Sequence, residues 1–342
     1  MTGGPAVLIA TYLEPEHVER IGDSVDCQLL YAPELLPRPR YRNDHGGVPP
    51  ALTAADERRW TGMLARAEVS FDFDWRAPGD LPGSAPNLRW VQGTSAGIGG
   101  FVRRHGLDAG DLVLTTAAGI HAGPLAEFAV AGALFFVKDI PGLRERQRAR
   151  HWQRHVSGQL AGRRATVVGL GAVGRRVVQA YGLLGVRVTG VGRPGHAYRV
   201  DHADRVVSTD DLDAVLPDTD ILVLACPLTP ATRGLIGAAR VAALPEDAIV
   251  VNVARGEVVD EDALSAALGS GRLLGAALDV FRHEPLPAGS PLWNLPNVLV
   301  SPHSASTAAQ ENAVLTDLFI DNLRRFLDGR PMRNLYRRDR GY

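Results

Sequence analysis

Short apolar runs recur along the chain, and one after another they end in glycine or polar residues. Residues 7–10 read as a first strand and 14–21 as the helix behind it. Residues 53–67 read as a second helix, with Thr53 as N-cap and Asp56 three residues on. Residues 68–73 alternate like a strand, 88–92 and 112–115 are further strands, and the last leads into Gly119-Ile120-His121. Residues 33–50, rich in proline, arginine and glycine, predict a long irregular surface loop. From 165 onward the pattern is regular. Strands are expected at 165–168, 186–191, 221–225, 248–252, 274–278 and 297–300, with helices between them and a long final helix at 307–327. Short strands alternating with helices pair in parallel, so the expected class is α/β.

Two stretches stand apart from this rhythm. Residues 124–140 carry apolar side chains on nearly every face (Leu125, Phe128, Ala129, Ala133, Leu134, Phe135, Phe136), and such a helix is buried, in a core or against a second subunit. Residues 144–155 are strongly basic and read as a solvated surface. With Trp152 as the one aromatic there and no basic domain around it, no nucleic-acid patch is expected. His151 and His155 have the spacing of helical metal ligands. No glutamate follows the first and no third ligand is evident, so no metal is expected.

Composition narrows the classes further. A chain of 342 residues holds two domains at about 150 residues each. A hydrophobic fraction of 45% beside 22% charged residues supports sizeable cores, and a net charge of −1 gives no general attraction to nucleic acid or anionic membrane. There are 36 arginines and one lysine, Lys138. A Walker-type phosphate loop is therefore absent, and so is the tyrosine–lysine pair of short-chain dehydrogenases, since no tyrosine precedes Lys138 by four positions. Cys27 and Cys226 are too far apart in sequence to suggest a disulfide framework or a zinc knuckle. No run approaches the ~20 apolar residues of a membrane span and no signal sequence is evident, so the expected compartment is the cytoplasm.

Chemistry concentrates at the ends of the later strands. Gly169-Leu170-Gly171-Ala172-Val173-Gly174 lies between an expected strand and helix. In that setting the glycines serve a tight turn, close backbone approach to a pyrophosphate, and helix–strand packing, while the helix N-terminus offers N–H groups to the phosphates. Three polar residues follow at later strand ends, Arg255, Glu284 and His303. Each alone has a plain structural reading. Together they suit reduction of a 2-oxo acid: arginine forks onto the carboxylate and polarises the carbonyl, histidine donates a proton, and glutamate stabilises the imidazolium.

At this point a family can be named. Asn252-Val253-Ala254-Arg255-Gly256-Glu257-Val258-Val259-Asp260, Asp279-Val280-Phe281-Arg282-His283-Glu284-Pro285-Leu286, Pro291-Leu292-Trp293-Asn294-Leu295-Pro296-Asn297-Val298 and Ser301-Pro302-His303 resemble the D-isomer-specific 2-hydroxyacid dehydrogenases. The resemblance is strong over residues 88–335 and weak before them. It implies two doubly wound parallel-sheet domains, with a Rossmann cofactor domain (residues 120–306) inserted in a flavodoxin-like substrate domain (1–119 and 307–342), and an active site in the cleft between them. It makes His303 the acid/base, Glu284 its partner and Arg255 the substrate anchor. The backbone N–H groups of Ser95, Ala96 and Gly97 would meet the substrate carboxylate. Gly169, Gly171, Ala172, Val173 and Gly174 would cradle the dinucleotide. Cys226, Pro227, Thr232, Val253, Ala254, Arg255, Asp279 and His303 would lie along it, Asp279 at the nicotinamide carboxamide. A homodimer through the cofactor domains is also implied.

Two positions depart from the family pattern. Gly99 stands where many relatives carry aspartate. At the end of the second cofactor strand, about 20 residues past the glycine loop, Gly192 and then Arg193 stand where NAD enzymes carry a carboxylate for the ribose. Arginine suits a 2′-phosphate, so the expected cofactor is NADP in preference to NAD. The expected activity is reduction of a small 2-oxo acid, of the glyoxylate or hydroxypyruvate class, to its D-2-hydroxy acid. Glu284 disfavours a formate dehydrogenase, which has glutamine there, whereas a phosphoglycerate dehydrogenase is compatible with the catalytic residues. The alternative from another class is a dinucleotide-sensing scaffold of the C-terminal-binding protein type, which can keep the same residues.

Overall fold

Five short strands, β1 (Ala6–Ile9), β2 (Gln28–Leu30), β3 (Val69–Phe71), β4 (Trp90–Gln92) and β5 (Val113–Thr115), pair in parallel in the order β2-β1-β3-β4-β5. A second parallel sheet holds β6 (Arg164–Val168), β7 (Arg187–Gly192), β8 (Arg205–Ser208), β9 (Ile221–Leu224), β10 (Ile249–Asn252), β11 (Gly275–Leu278) and β12 (Val298–Val300), in the order β12-β11-β10-β9-β6-β7-β8. These are the flavodoxin-like and Rossmann orders, each reversing once, at β1/β3 and at β6/β9. The computed structural model describes residues 4–339 and 341. Its chain divides into two units, Met1–His121 with Thr307–Tyr342, and Ala122–Ser306. The domain limits expected at residues 1 and 342 lie outside the described residues.

Alternation builds the core of the first unit. Val7 and Ile9 on one face of β1 join Val69, Phe71 and Trp90, and the last helix, Glu311–Leu327, covers them with Leu315, Phe319 and Leu323. Trp90 and Phe319 stack with centroids 5.3 Å apart, and the Trp90 indole N–H donates to Thr115 Oγ1 at 2.8 Å. Leu8 points the other way, into a cluster with Trp60 and Leu64 of the helix Ala54–Arg66. That helix begins with Thr53 and Asp56 capping each other's backbone N–H groups, as their spacing suggested. Residues 33–50 are irregular yet tied down. Arg38 and Val48 form a bridge, and the buried Asp44 accepts from Arg40 and from the backbone of Gly46 and Gly47. The Arg40 guanidinium holds the Asp44 carboxyl far below the usual carboxylate range.

In the second unit the helix Ala122–Val137 lies on the sheet through Ala126, Ala129, Ala133 and Phe136, and its Ala129 carbonyl accepts from the buried Tyr181 hydroxyl at 2.8 Å. Its apolar girdle is only partly used within the chain, for Leu125, Phe128, Leu134 and Phe135 are half-buried. The helix ends sooner than its sequence pattern suggested, because Asp139 turns left-handed (φ 50°) and caps a further helix, Ile140–Arg148, by accepting from Gly142 N–H. The basic stretch is thus helical at its start and exposed coil afterwards, with Trp152 95% and Val156 98% exposed. Among the described residues no helix is long and apolar enough to cross a membrane.

Candidate active site

The glycine loop follows β6 directly, and each glycine has a physical reason. Gly169 adopts φ +101°, and a Cβ there would stand 2.7 Å from the Cys226 backbone. At Gly174 a Cβ would meet the Gly169 carbonyl oxygen at 1.7 Å, so the helix Ala172–Leu183 can start this close to the strand only with glycine. At Gly171 a Cβ would meet nothing within 4 Å, and Gly171 is also the N-cap, with no side chain capping the helix. An open approach to bare N–H groups, with Ala172 and Val173 in the first turn, fits a pyrophosphate. The neighbouring loop after β9 is closed by Thr232, whose hydroxyl donates to the Pro227 carbonyl at 2.6 Å, while Thr229 N–H donates back to it at 2.8 Å. Cys226 is buried there, which pushes its thiol up to about 11.

At the end of β10 the buried Asn252 organises the next loop: its Oδ1 accepts from Ala254 N–H and its amide donates to the Arg255 carbonyl. Val253 N–H donates to Leu224 of β9. Arg255 Nη1 donates to the Ala254 carbonyl at 2.6 Å, and Gly256 brings this loop against the Phe281–Arg282 peptide, where a Cβ would collide at 1.9 Å. The loop after β11 therefore lies beside the arginine loop. In it, Glu284 Oε1 accepts from Phe281 N–H at 3.0 Å and Oε2 meets His303 Nδ1 at 2.7 Å.

His303 itself sits left-handed at φ +54°. Asp279 holds it there. One carboxylate oxygen, Oδ1, accepts from Ser301 Oγ (2.6 Å), Ser304 N–H (2.8 Å) and Ala305 N–H (2.9 Å), while the Asp279 carbonyl accepts from His303 N–H (2.9 Å). Burial pushes the Asp279 carboxyl up despite these donors. The family resemblance implies a role for it at the nicotinamide carboxamide; its bonds within the chain also clamp the segment bearing the histidine.

In the first unit the loop after β4 carries Ser95, Ala96 and Gly97. Gly97 N–H turns back to Ser95 Oγ at 3.2 Å, and the Ser95 carbonyl accepts from Ala117 N–H. Gly99 opens a short helix, Gly99–Arg104. Sequence reading passed over the support of this loop. Asp72, left-handed at φ +71° after β3, accepts from Thr94 Oγ1 at 3.0 Å, and His45 Nδ1 meets Thr11 Oγ1 at 3.1 Å nearby after β1. Burial raises the Asp72 carboxyl, against the opposing charge of His45. The available signal was a polar residue at the carboxyl end of a strand, which marked Asp279; it missed Asp72 because the strand expected at 68–73 ends at Phe71.

Residues 130–305 match the family model described as D-isomer specific 2-hydroxyacid dehydrogenase, NAD binding domain. The chain is 32% identical over 282 residues to glyoxylate/hydroxypyruvate reductase B of Pectobacterium carotovorum, covering 79% of this chain and 86% of that relative. Among solved structures it resembles a D-isomer specific 2-hydroxyacid dehydrogenase from Xanthobacter autotrophicus Py2 in complex with NADPH and MES, with a TM-score of 0.78, 30% identity and 100% of both chains covered. It also resembles a probable 2-hydroxyacid dehydrogenase from Rhizobium etli CFN 42 in complex with NADP, HEPES and L(+)-tartaric acid (TM-score 0.75, 26% identity, 99% of this chain and 100% of that one). A model matching more than half of the chain, and a relative aligned over most of its own length, make this chain a member of the D-isomer-specific 2-hydroxyacid dehydrogenases, NAD(P)-dependent oxidoreductases acting on CH–OH donors.

Proposed function

We propose that this enzyme reduces a small 2-oxo acid, of the glyoxylate or hydroxypyruvate class, to its D-2-hydroxy acid, with NADPH preferred over NADH. The observation that carries the reading is the 2.7 Å contact between Glu284 and His303 Nδ1. A carboxylate accepting the Nδ1 proton fixes the tautomer and leaves Nε2 to exchange a proton with substrate. When bound, the nicotinamide supplies the hydride. His303 gives its Nε2 proton to the carbonyl oxygen, Glu284 steadies the imidazolium, and Arg255 forks onto the carboxylate and draws electron density from the carbonyl. In the first unit, the backbone of Ser95, Ala96 and Gly97 supplies the donors proposed for a substrate carboxylate. The cofactor preference is supported by Gly192 and Arg193 at the end of β7, where no carboxylate stands to repel a 2′-phosphate. The substrate class is supported by the name of the Pectobacterium relative.

The test is initial-rate kinetics with glyoxylate, hydroxypyruvate, pyruvate and phenylpyruvate, each with NADPH and with NADH. The highest kcat/KM is expected with glyoxylate or hydroxypyruvate and NADPH. No turnover of any of the four would overturn the enzymatic reading, and equal efficiency with both cofactors would overturn the preference. We also propose a homodimer through the second unit, supported by the partly covered apolar girdle of the helix Ala122–Val137 and by exposed Trp152 and Val156.

A further inference from the structure

The end of β7 holds more than a missing carboxylate. A Cβ on Gly192 would lie 2.3 Å from Cε2 and 2.5 Å from Cδ2 of Tyr198, so the phenol ring already fills the space into which a side chain at 192 would grow. The Tyr198 hydroxyl accepts from Arg193 twice, from the backbone N–H and from Nε, each at 3.3 Å. Its segment is anchored from the glycine-loop side as well: Arg175, on the helix Ala172–Leu183, donates from Nη1 to the Arg199 carbonyl (2.7 Å) and from Nε to the Leu170 carbonyl (3.1 Å). Burial pushes the Tyr198 phenol up, but the Arg193 bonds and the charges of Arg193 and Arg175 outweigh it and hold the group below its ordinary value. His196, its ring tilted by 32° at 6.2 Å, adds a further basic group to the same loop.

We propose that Tyr198 is the positioning residue for cofactor choice: its ring excludes a ribose-reading carboxylate at 192, and its hydroxyl holds Arg193 for a 2′-phosphate. The proposal deepens the NADPH reading above and rests on it. One phenol from five residues downstream thus works against NAD and for NADP together. Hydrogen bonds to a charged group are worth about 1.5 kcal/mol, which is about tenfold in affinity.

The experiment is calorimetric binding of adenosine 2′,5′-bisphosphate and of 5′-AMP, probes that need no catalysis, to the parent and to Tyr198→Phe, Gly192→Asp, and Gly192→Asp with Tyr198→Ala, all checked for folding by thermal melting. The parent should bind the bisphosphate more tightly than AMP. Tyr198→Phe keeps the ring and should lose about tenfold for the bisphosphate with AMP changed by less than about twofold. Gly192→Asp alone should weaken both, and adding Tyr198→Ala should restore AMP but not the bisphosphate. A parent without preference defeats the NADPH reading, and the role of Arg193 with it. A parent with preference whose Tyr198→Phe variant binds both probes unchanged defeats the proposal alone. So does Gly192→Asp binding AMP equally well with or without Tyr198.

Discussion

His303 is held in a backbone conformation that few non-glycine residues adopt, and three donors converging on one Asp279 oxygen keep it there. On the mechanism proposed above, His303 gives its Nε2 proton to the carbonyl oxygen, and its 2.7 Å contact with Glu284 holds the ring for that step. Replacing Glu284 by glutamine removes the charge that steadies the imidazolium and should lower kcat with KM little changed; an unchanged kcat would take Glu284 out of the mechanism. His303→Ala should lose turnover by about 10²–10⁴-fold with cofactor affinity little changed. Arg255→Ala should raise KM and lower kcat together, because one guanidinium serves carboxylate and carbonyl. Near-normal kinetics for that variant would remove the anchor from Arg255. At this scale the sequence was legible where a motif carries it. Arg255, Glu284 and His303 stand in runs that resemble the family, and the structure brings the last two into contact. Asp72 had a signal, its place at the end of a strand, that was passed over; Tyr198 had none, because no spacing in the chain announces its contact with Arg193.

Among the elements, long-range ties at strand starts add to the packing of the sheets. Asp220, just before β9, accepts from the backbone N–H of Arg164 at 2.8 Å and from its guanidinium at 3.1 Å, joining β9 to β6. Burial raises the Asp220 carboxyl, but the Arg164 bonds outweigh it and leave it below its ordinary value. A depressed carboxyl contributes stability that is present above its unfolded-state pKa, near 3.9, and is lost as pH falls through the folded-state value. Asp220→Asn should therefore destabilise by about 1 kcal/mol at neutral pH, discounted for partial exposure, and by less in acid. Chemical denaturation at two pH values measures both. Close packing gives a second outcome. A Cβ on Gly275 would stand 2.4 Å from the Phe136 ring, so Gly275→Ala should lose about 1–3 kcal/mol by forcing helix and strand apart. Strong apolar runs such as β6 and β9–β11 could be read directly from the chain. The edge strands β2 and β8 were missed, being short, only partly buried and without a continuous apolar run. The end of the helix Ala122–Val137 was misjudged because Asp139 stops it by its own conformation, with no proline there to mark the place.

For the molecule as a whole, alternation of strand and helix was enough to foresee parallel sheets, while their strand orders followed from the family resemblance. The homodimer proposed above can be tested in solution. Light scattering should give about twice the 36.6 kDa of one chain, and joint replacement of Trp152 and Val156 by alanine should shift it towards a single chain. The route of the chain through its two units also has a consequence in time. The second unit is one uninterrupted segment, Ala122–Ser306, whereas the first needs Phe319 and Leu323, on the last long helix, to cover Val7, Ile9, Val69, Phe71 and Trp90. During synthesis the part of the sheet made first must wait for a helix made last, with its apolar face bare, while the later-made unit closes ahead of it. His121 and Glu311, 2.9 Å apart and largely buried, flank the two points where the chain crosses between units, and that contact forms only when the wait is over. The earlier segment of the first unit thus stays open longest, and a chain cut short before residue 311 should be cleaved by protease within residues 4–121 and spared in Ala122–Ser306.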